Sequence, residues 1–254
     1  MTSRIYAIAQ QKGGVGKTTT TINLGAALTA RGKRVLLIDL DPQGALSAGM
    51  GINPENLSET IYDALRTPGF DLSRLVMQSD AGVDFIPANI DLSASELELV
   101  SEPGRERILK EKLLPLLGAY DYMLIDCPPS LGLLTLNALS AASRVVIPVQ
   151  TQYFALRGMD LLLRTIEKVR QRLNPELDVL GILATMFNAR TTHSREVLEV
   201  IRKQFGDKVF NTITPYTVKL QDSSMAGGSI LDFTPQSDVA QSYRDLAEEV
   251  ENRE

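Results

Sequence analysis

Apolar positions in this chain fall into short unbroken runs, separated by longer stretches in which they recur every three or four residues. Ile5 to Ala9 is one such run, and Val35 to Leu40, reading VLLIDL, is a second with little alternation. A strand covered on both faces reads this way, because each face meets a packed layer and neither meets water. Val83 to Ile86, Tyr122 to Ile125, Val145 to Val149 and Val179 to Met186 repeat the pattern. The stretches between them have helical period. Thr18 to Ala30 is expected to be helical, and Leu162, Ile166, Val169 and Leu173 form one stripe that stops at Asn174-Pro175. Val197, Ile201 and Phe205 form another, closed by Gly206. Val239, Tyr243, Leu246 and Val250 form a third, with an acidic outer face. Strands alternating with helices predict an α/β fold over residues 1–254: a doubly wound, mainly parallel sheet with helices on both faces, in one domain. Asn53 to Asp80 mixes Pro, Gly and polar residues and is expected to form a loose insertion.

At 254 residues the chain is long enough to bury a large core. Its 44% hydrophobic and 22% charged residues are ordinary for a soluble globular protein. The net charge of −5 means that any contact with nucleic acid needs a local basic patch working against the global field. Cys127 is the single cysteine, which excludes a disulfide within the chain and a metal cage built from its thiolates alone. The opening MTSRIYAIAQQKGG holds an apolar stretch too short for a signal peptide. No apolar run approaches the roughly 18–20 residues needed to span a bilayer. These features predict a cytoplasmic protein with no membrane partner.

The strongest chemical signal is Gln11-Lys12-Gly13-Gly14-Val15-Gly16-Lys17-Thr18-Thr19, set between a strand and a helix. Three glycines let successive N–H groups curl into one concavity, a nest for phosphate oxygens. The helix that starts there adds the positive end of its dipole. Lys17 can reach the β- and γ-phosphates of a nucleotide, and the Thr18 hydroxyl can ligate Mg²⁺. The standard pattern has Gly six residues before that lysine; here the position is Gln11, with Lys12 directly before Gly13-Gly14.

Two carboxylates follow at strand ends, where open α/β sheets bind ligands. Asp126 ends YDYMLID and is suited to hold Mg²⁺ through water. Asp41, in LDPQG, can orient an attacking water or sense the γ-phosphate. Asp39 reads as support for the same loop. Cys127 beside a carboxylate reads as packing, since a neighbouring negative charge raises a thiol's pKa.

Taken together, QKGGVGKTTT, LLIDLDPQG, YDYMLIDCPPSLGLLTLNAL, VVIPVQTQYFALRG and FNARTTHSREVLEVIRKQFGDKVF resemble the ParA/Soj chromosome and plasmid partitioning ATPases, within the broader ParA/MinD group. The resemblance covers almost the whole chain. It implies ATP and Mg²⁺ as cofactors, and Lys12 as the signature lysine that reaches across a homodimer to phosphates held mainly by the other subunit. It implies an adenine-contacting loop at Pro215 to Thr217. Relatives usually read Pro-Arg-Asn there, whereas this chain has Pro215-Tyr216-Thr217. A Thr lacks the paired donor and acceptor of an amide, so adenine specificity is expected to lean on backbone groups.

The resemblance also implies nonspecific double-stranded DNA as a partner of the dimer, a ParB-like activator or cargo adaptor, and a nucleoid-associated location in the cytoplasm. The matching DNA-binding candidates are Arg190 and Lys219, with Arg195, Arg202 and Lys203 nearby. Between residues 188 and 219 there are six basic residues against three acidic ones, a local excess in an acidic chain. The spacing of Arg195, Glu199 and Arg202 also suits a salt-bridged, solvated helix face. After Lys219 the chain reads QDSSMAGG where relatives usually carry Ser-Glu-Ala-Pro-Ser. A membrane-cycling relative of MinD type would need a basic amphipathic tail, yet this chain ends DLAEEVENRE. An iron–sulfur reductase would need more than one cysteine. A carboxylate ligase of the biotin pathway would need a charged pocket for its own substrate, and none is evident.

Overall fold

The structure, a computed structural model, describes residues 3–152 and 155–253. Within the motif VVIPVQTQYFALRG, Tyr153, Phe154 and the side chains of residues 155–157 therefore lie outside the described residues.

In chain order the structure begins β1 (Arg4–Ile8), α1 (Lys17–Ala30), β2 (Val35–Asp39), α2 (Ala45–Gly49) and α3 (Ile61–Arg66). It continues through β3 (Met77–Gln78), β4 (Asp84–Ile86), α4 (Leu92–Glu98), α5 (Ile108–Leu113), β5 (Tyr122–Asp126) and α6 (Leu133–Ala141). Then follow β6 (Arg144–Gln150), α7 (Ala155–Arg172), β7 (Asp178–Phe187), α8 (Thr192–Phe205) and β8 (Val209–Pro215). Helices α9 (Lys219–Met225), α10 (Ile230–Phe233) and α11 (Asp238–Asn252) close the chain.

One sheet runs through the molecule in the order β3-β4-β2-β5-β1-β6-β7-β8. Every pairing is parallel except β3 with β4. Alternate residues of a strand point to opposite faces, and here each face has its own core. Leu36, Ile38, Met123 and Ile125 pack against Ile61 of α3, Leu92 of α4, Leu109 of α5, Leu134 of α6 and Leu162 of α7. Their neighbours Tyr6, Ile8, Leu37 and Leu124 pack against Ile22 of α1, Leu46 of α2, Ile230 of α10 and Leu246 of α11. The doubly wound architecture expected from the pattern is the one observed.

One expectation needs amendment, and one strand was not expected at all. Residues 53–80 are built into the core: Ile61, Ala64, Leu65, Leu72 and Leu75 are all buried, and a Thr60 capping box starts α3. Scattered Pro and Gly punctuate the short helical turns there. Strand β8 has no continuous apolar run, because VFNTITP lies at the sheet edge and only part of it is covered.

Parallel strands carry all their C-terminal ends to one edge, with β1 and β5 side by side at its centre. In register, Ile8 lies opposite Asp126, and Asp39 lies opposite Asp126 on the other side. Three segments that hold the chemically distinctive residues thus meet at one place.

Candidate active site

The loop between β1 and α1 takes its shape from glycine. Gly14 and Gly16 have φ of 69° and 92°, in the left-handed region that side chains avoid. Gly16 is the N-cap of α1, so its curl turns the chain directly into the helix. The loop is anchored from the far side, where Thr185 of β7 donates its hydroxyl to the Val15 carbonyl at 2.8 Å, and Val15 itself is buried. The free N–H groups at the start of α1 and its dipole make this an anion-binding corner.

Lys17, the first residue of α1, is buried. Burial lowers its pKa, while Asp126, Cys127 and Asp41 pull the other way. One turn of helix brings Thr18 and Thr21 to one carboxylate. Thr18 Oγ1 donates to Asp126 Oδ2 at 2.6 Å, and Thr21 Oγ1 lies 3.4 Å from Asp126 Oδ1 while bonding the Lys17 carbonyl at 3.0 Å. Asp126 is wholly buried, and burial, then the charge of Asp39, push its pKa well above the ordinary range. Asp39 is likewise raised to about 7, chiefly by burial. Its carboxylate accepts from the Asp41 N–H at 3.1 Å, the Ser47 N–H at 2.9 Å and the Ser47 hydroxyl at 2.7 Å. Asp39 therefore braces the β2–α2 loop, as expected. Asp41, almost buried, accepts the Gln43 N–H at 3.0 Å, which fixes its carboxyl at the mouth of the loop.

The donor set fits a hard divalent cation. Two carboxylates, Asp41 and Asp126, act on one buried ammonium, that of Lys17, and a hydroxyl already lies 2.6 Å from Asp126. Among the described residues no group of three or more His, Cys, Asp or Glu could hold a metal unaided. That suits Mg²⁺, which keeps waters and shares its coordination with phosphates instead of filling a protein cage. Cys127 is wholly buried, and burial followed by the Asp126 charge pushes its thiol far up, so it is packing.

Lys12 stands apart from this cluster. Its Nζ donates to Gln150 Oε1, at the end of β6, across 3.2 Å. It forms no ion pair among the described residues. Beside the loop lies a cavity of about 330 Å³ lined by Gly16, Thr19, Thr185, Pro215, Tyr216 and Thr217 among others. Pro215 and Thr217 are thus placed next to the phosphate corner.

Known proteins are similar to this chain in sequence and in fold. A family model described as an AAA domain matches residues 3–179. The sporulation initiation inhibitor protein Soj of Bacillus subtilis is 46% identical over 97% of this chain and 98% of its own length. The chromosome partitioning protein ParA of Caulobacter vibrioides is 45% identical over 99% of this chain and 95% of its own. The chain belongs to the ParA/Soj family of P-loop ATPases. Among solved structures, a cobyrinic acid a,c-diamide synthase of Mycobacterium smegmatis, with bound ADP and magnesium, superposes with a TM-score of 0.86. It is 42% identical, covering 97% of this chain and 93% of that one.

In this ParA/Soj chain the basic candidates lie on two elements. Arg190 precedes α8, Arg195, Arg202 and Lys203 lie along it, and Lys219 opens α9; all five are exposed. Arg195 donates to the Ala189 carbonyl at 3.1 Å. No ion pair joins Arg195, Glu199 and Arg202 among the described residues, so the salt-bridged face that their spacing suits is not formed. Arg202 lines an open cleft at the N-terminal end of β8. Among the described residues no helix is long and apolar enough to cross a membrane.

Sequence reading missed Thr21, Thr185 and Gln150. Thr21 was signalled by its place three residues after Thr18, on the same helix face. Gln150 was signalled by a polar residue ending an apolar strand at the ligand-bearing edge.

Proposed function

We propose that this chain is an ATP-dependent, dimerising switch that binds nonspecific double-stranded DNA and hydrolyses ATP when a ParB-like partner or cargo adaptor stimulates it. The observation that carries this reading is the unequal setting of the two lysines of one phosphate loop. Lys17 is buried against Asp126 and Asp41, while Lys12 rests on a neutral amide with no counter-charge among the described residues. An ammonium left in that state at the rim of a phosphate corner is available to the phosphates of a second copy. Two faces that each present ATP repel one another, and a lysine donated in each direction offsets the repulsion.

Within the site, backbone N–H groups from Gly13 to Thr19 cradle the phosphates and Lys17 neutralises them. Thr18 and Asp126 would hold Mg²⁺. When bound, that ion supplies charge neutralisation on the transferred phosphoryl group. Asp41 orients the attacking water, and its firm tether to Gln43 keeps it in place without making it a strong base. Hydrolysis is accordingly slow until a partner acts. Arg190, Arg195, Arg202, Lys203 and Lys219 form the phosphodiester-facing surface, doubled in a dimer. The protein then works in the cytoplasm, on the nucleoid. Filter retention of a random duplex with ATP, ADP or no nucleotide tests this reading. Retention that requires ATP and falls with salt supports it, and equal retention by the nucleotide-free protein overturns it.

A second reading has one observation behind it, the metabolic name of the M. smegmatis relative. It would make the chain an ATP-dependent enzyme that amidates a corrin carboxylate. The 330 Å³ cavity beside the phosphate loop suits a nucleoside and leaves no room for a corrin as well. The larger cleft, about 640 Å³, lies at the opposite end of β8. ATP turnover stimulated by the corrin acid and indifferent to DNA would favour this alternative.

A further inference from the structure

We infer that Gln221 is the residue that reads the nucleotide's base, setting the preference for adenine; this rests on the ATP reading above and deepens it. The cavity that adjoins the phosphate loop is closed on its outer side by α9, where Gln221 lies in the first turns of the helix. Among the described residues no charged side chain lines that cavity, which suits a neutral group. Tyr216, 63% exposed, adds an aromatic surface at the same place. A flat heterocycle attached to phosphates that end at Gly16 and Thr19 meets those conditions.

The polar side chains around the cavity differ in what they have left to offer. Thr185 gives its hydroxyl to the Val15 carbonyl at 2.8 Å. Ser224 gives its own to the Leu220 carbonyl at 3.0 Å. Thr217, the position at which the family resemblance placed base contact, accepts the Lys219 N–H at 3.3 Å and so helps to start α9. The Gln221 amide has no hydrogen-bond partner among the described residues and is exposed to the cavity mouth. It is the one side-chain amide in the lining among the described residues, and only an amide holds a donor and an acceptor in one plane at fixed spacing. That pair matches adenine's N6 amine and N7. Guanine presents two acceptors, O6 and N7, along the same edge and cannot satisfy both halves of the amide. Specificity that seemed to fall to the backbone when Thr217 replaced an amide is thereby returned to a side chain one helical turn later.

Gln221→Leu keeps the volume and removes both polar atoms, and an exposed position leaves folding intact. Calorimetric titration with Mg-ATP, Mg-GTP and the Mg complex of 7-deaza-ATP, run on wild type and on this variant, tests the assignment. The expected result is an ATP affinity roughly tenfold weaker in the variant with GTP affinity little changed. Replacing N7 by carbon should weaken binding to wild type and have no further effect in the variant. An ATP-to-GTP ratio equal in the two proteins overturns the inference. Lys17→Ala, measured alongside, separates the two layers of the argument. If Lys17→Ala loses ATP and Gln221→Leu keeps the wild-type ratio, only the role of Gln221 falls. If wild type binds no Mg-ATP, or Lys17→Ala binds it undiminished, the nucleotide reading and this inference fall together.

Discussion

The hydroxyl of Thr18 donates to Oδ2 of Asp126 across 2.6 Å, although the two residues are 108 positions apart in the chain. The contact joins the first turn of α1 to the end of β5 and leaves Asp126 buried beside a second carboxylate, Asp39. Such an arrangement costs stability in the nucleotide-free protein, because two buried acids repel and neither is paired with a cation in full.

Asp126→Asn should therefore raise the stability of the nucleotide-free protein, by about 1–2 kcal/mol, while weakening the Mg²⁺ dependence of nucleotide binding about 10- to 100-fold. Urea unfolding without nucleotide and Mg²⁺ titration with ATP present read the two effects separately. A variant both less stable and unaltered towards Mg²⁺ contradicts the role given to Asp126.

Asp121 supplies a pH prediction away from the site. Hydrogen bonds from the Arg34 side chain, and then from its backbone N–H, hold this carboxyl at about 2. Between pH 4 and pH 2 the unfolded chain binds more protons at this position than the folded one, so stability rises with pH across that window and is flat above it. The pair is largely solvated, which keeps its worth small. Asp121→Asn should lose that small contribution at pH 6, and the difference from wild type should shrink as pH falls below 4. A gap that widens in acid would reverse the assigned sign.

Helices α2 and α9 meet through two glycines. A side chain on Gly227 would place its Cβ 2.7 Å from the Gly51 Cα, and Gly227 itself has φ of 79°. Gly227→Ala is expected to destabilise by about 1–3 kcal/mol, and urea midpoints measure it. Because α2 follows the Asp41 loop and α9 borders the base cavity, the same variant should also weaken ATP binding. An unchanged midpoint would mean that the two turns part freely.

The residues proposed to face DNA make a graded prediction. Replacing Lys219 or Arg190 by Ala should weaken binding to unrelated duplexes by a similar factor and lower the salt slope by about one per charge removed. Anisotropy titrations on two unrelated sequences at several salt concentrations supply both numbers. Sequence-dependent loss would point to base contacts instead.

Much of the site was legible because its chemistry is local. Gly13 to Thr19 lie together in the sequence, and the strands that carry Asp41 and Asp126 announce themselves by unbroken apolar runs. Pairing of β1, β2 and β5 then brings the three segments together by topology alone. What was less legible depends on the edges of the fold. Strand β8 has no continuous apolar run because it lies at the sheet edge and is only partly covered. Residues 53–80 hide five buried apolar side chains among turn formers. The link from Gln150 to Lys12 joins segments whose meeting depends on the neighbour relation of β1 and β6. Gln221 was hidden for another reason, since a polar residue early in a short exposed helix looks like solvent-facing surface until the cavity beneath it is seen.

The proposed dimer turns on Lys12, and the most direct measurement is the mass of the protein by light scattering with Mg-ATP, in wild type, Lys12→Ala and Asp41→Ala. Wild type should double its mass with ATP and return to one chain with ADP. Lys12→Ala should stay at one chain throughout, and Asp41→Ala should persist as two because it binds ATP without turning it over. A wild-type protein that remains single with ATP bound, or a Lys12→Ala variant that doubles as wild type does, would contradict it.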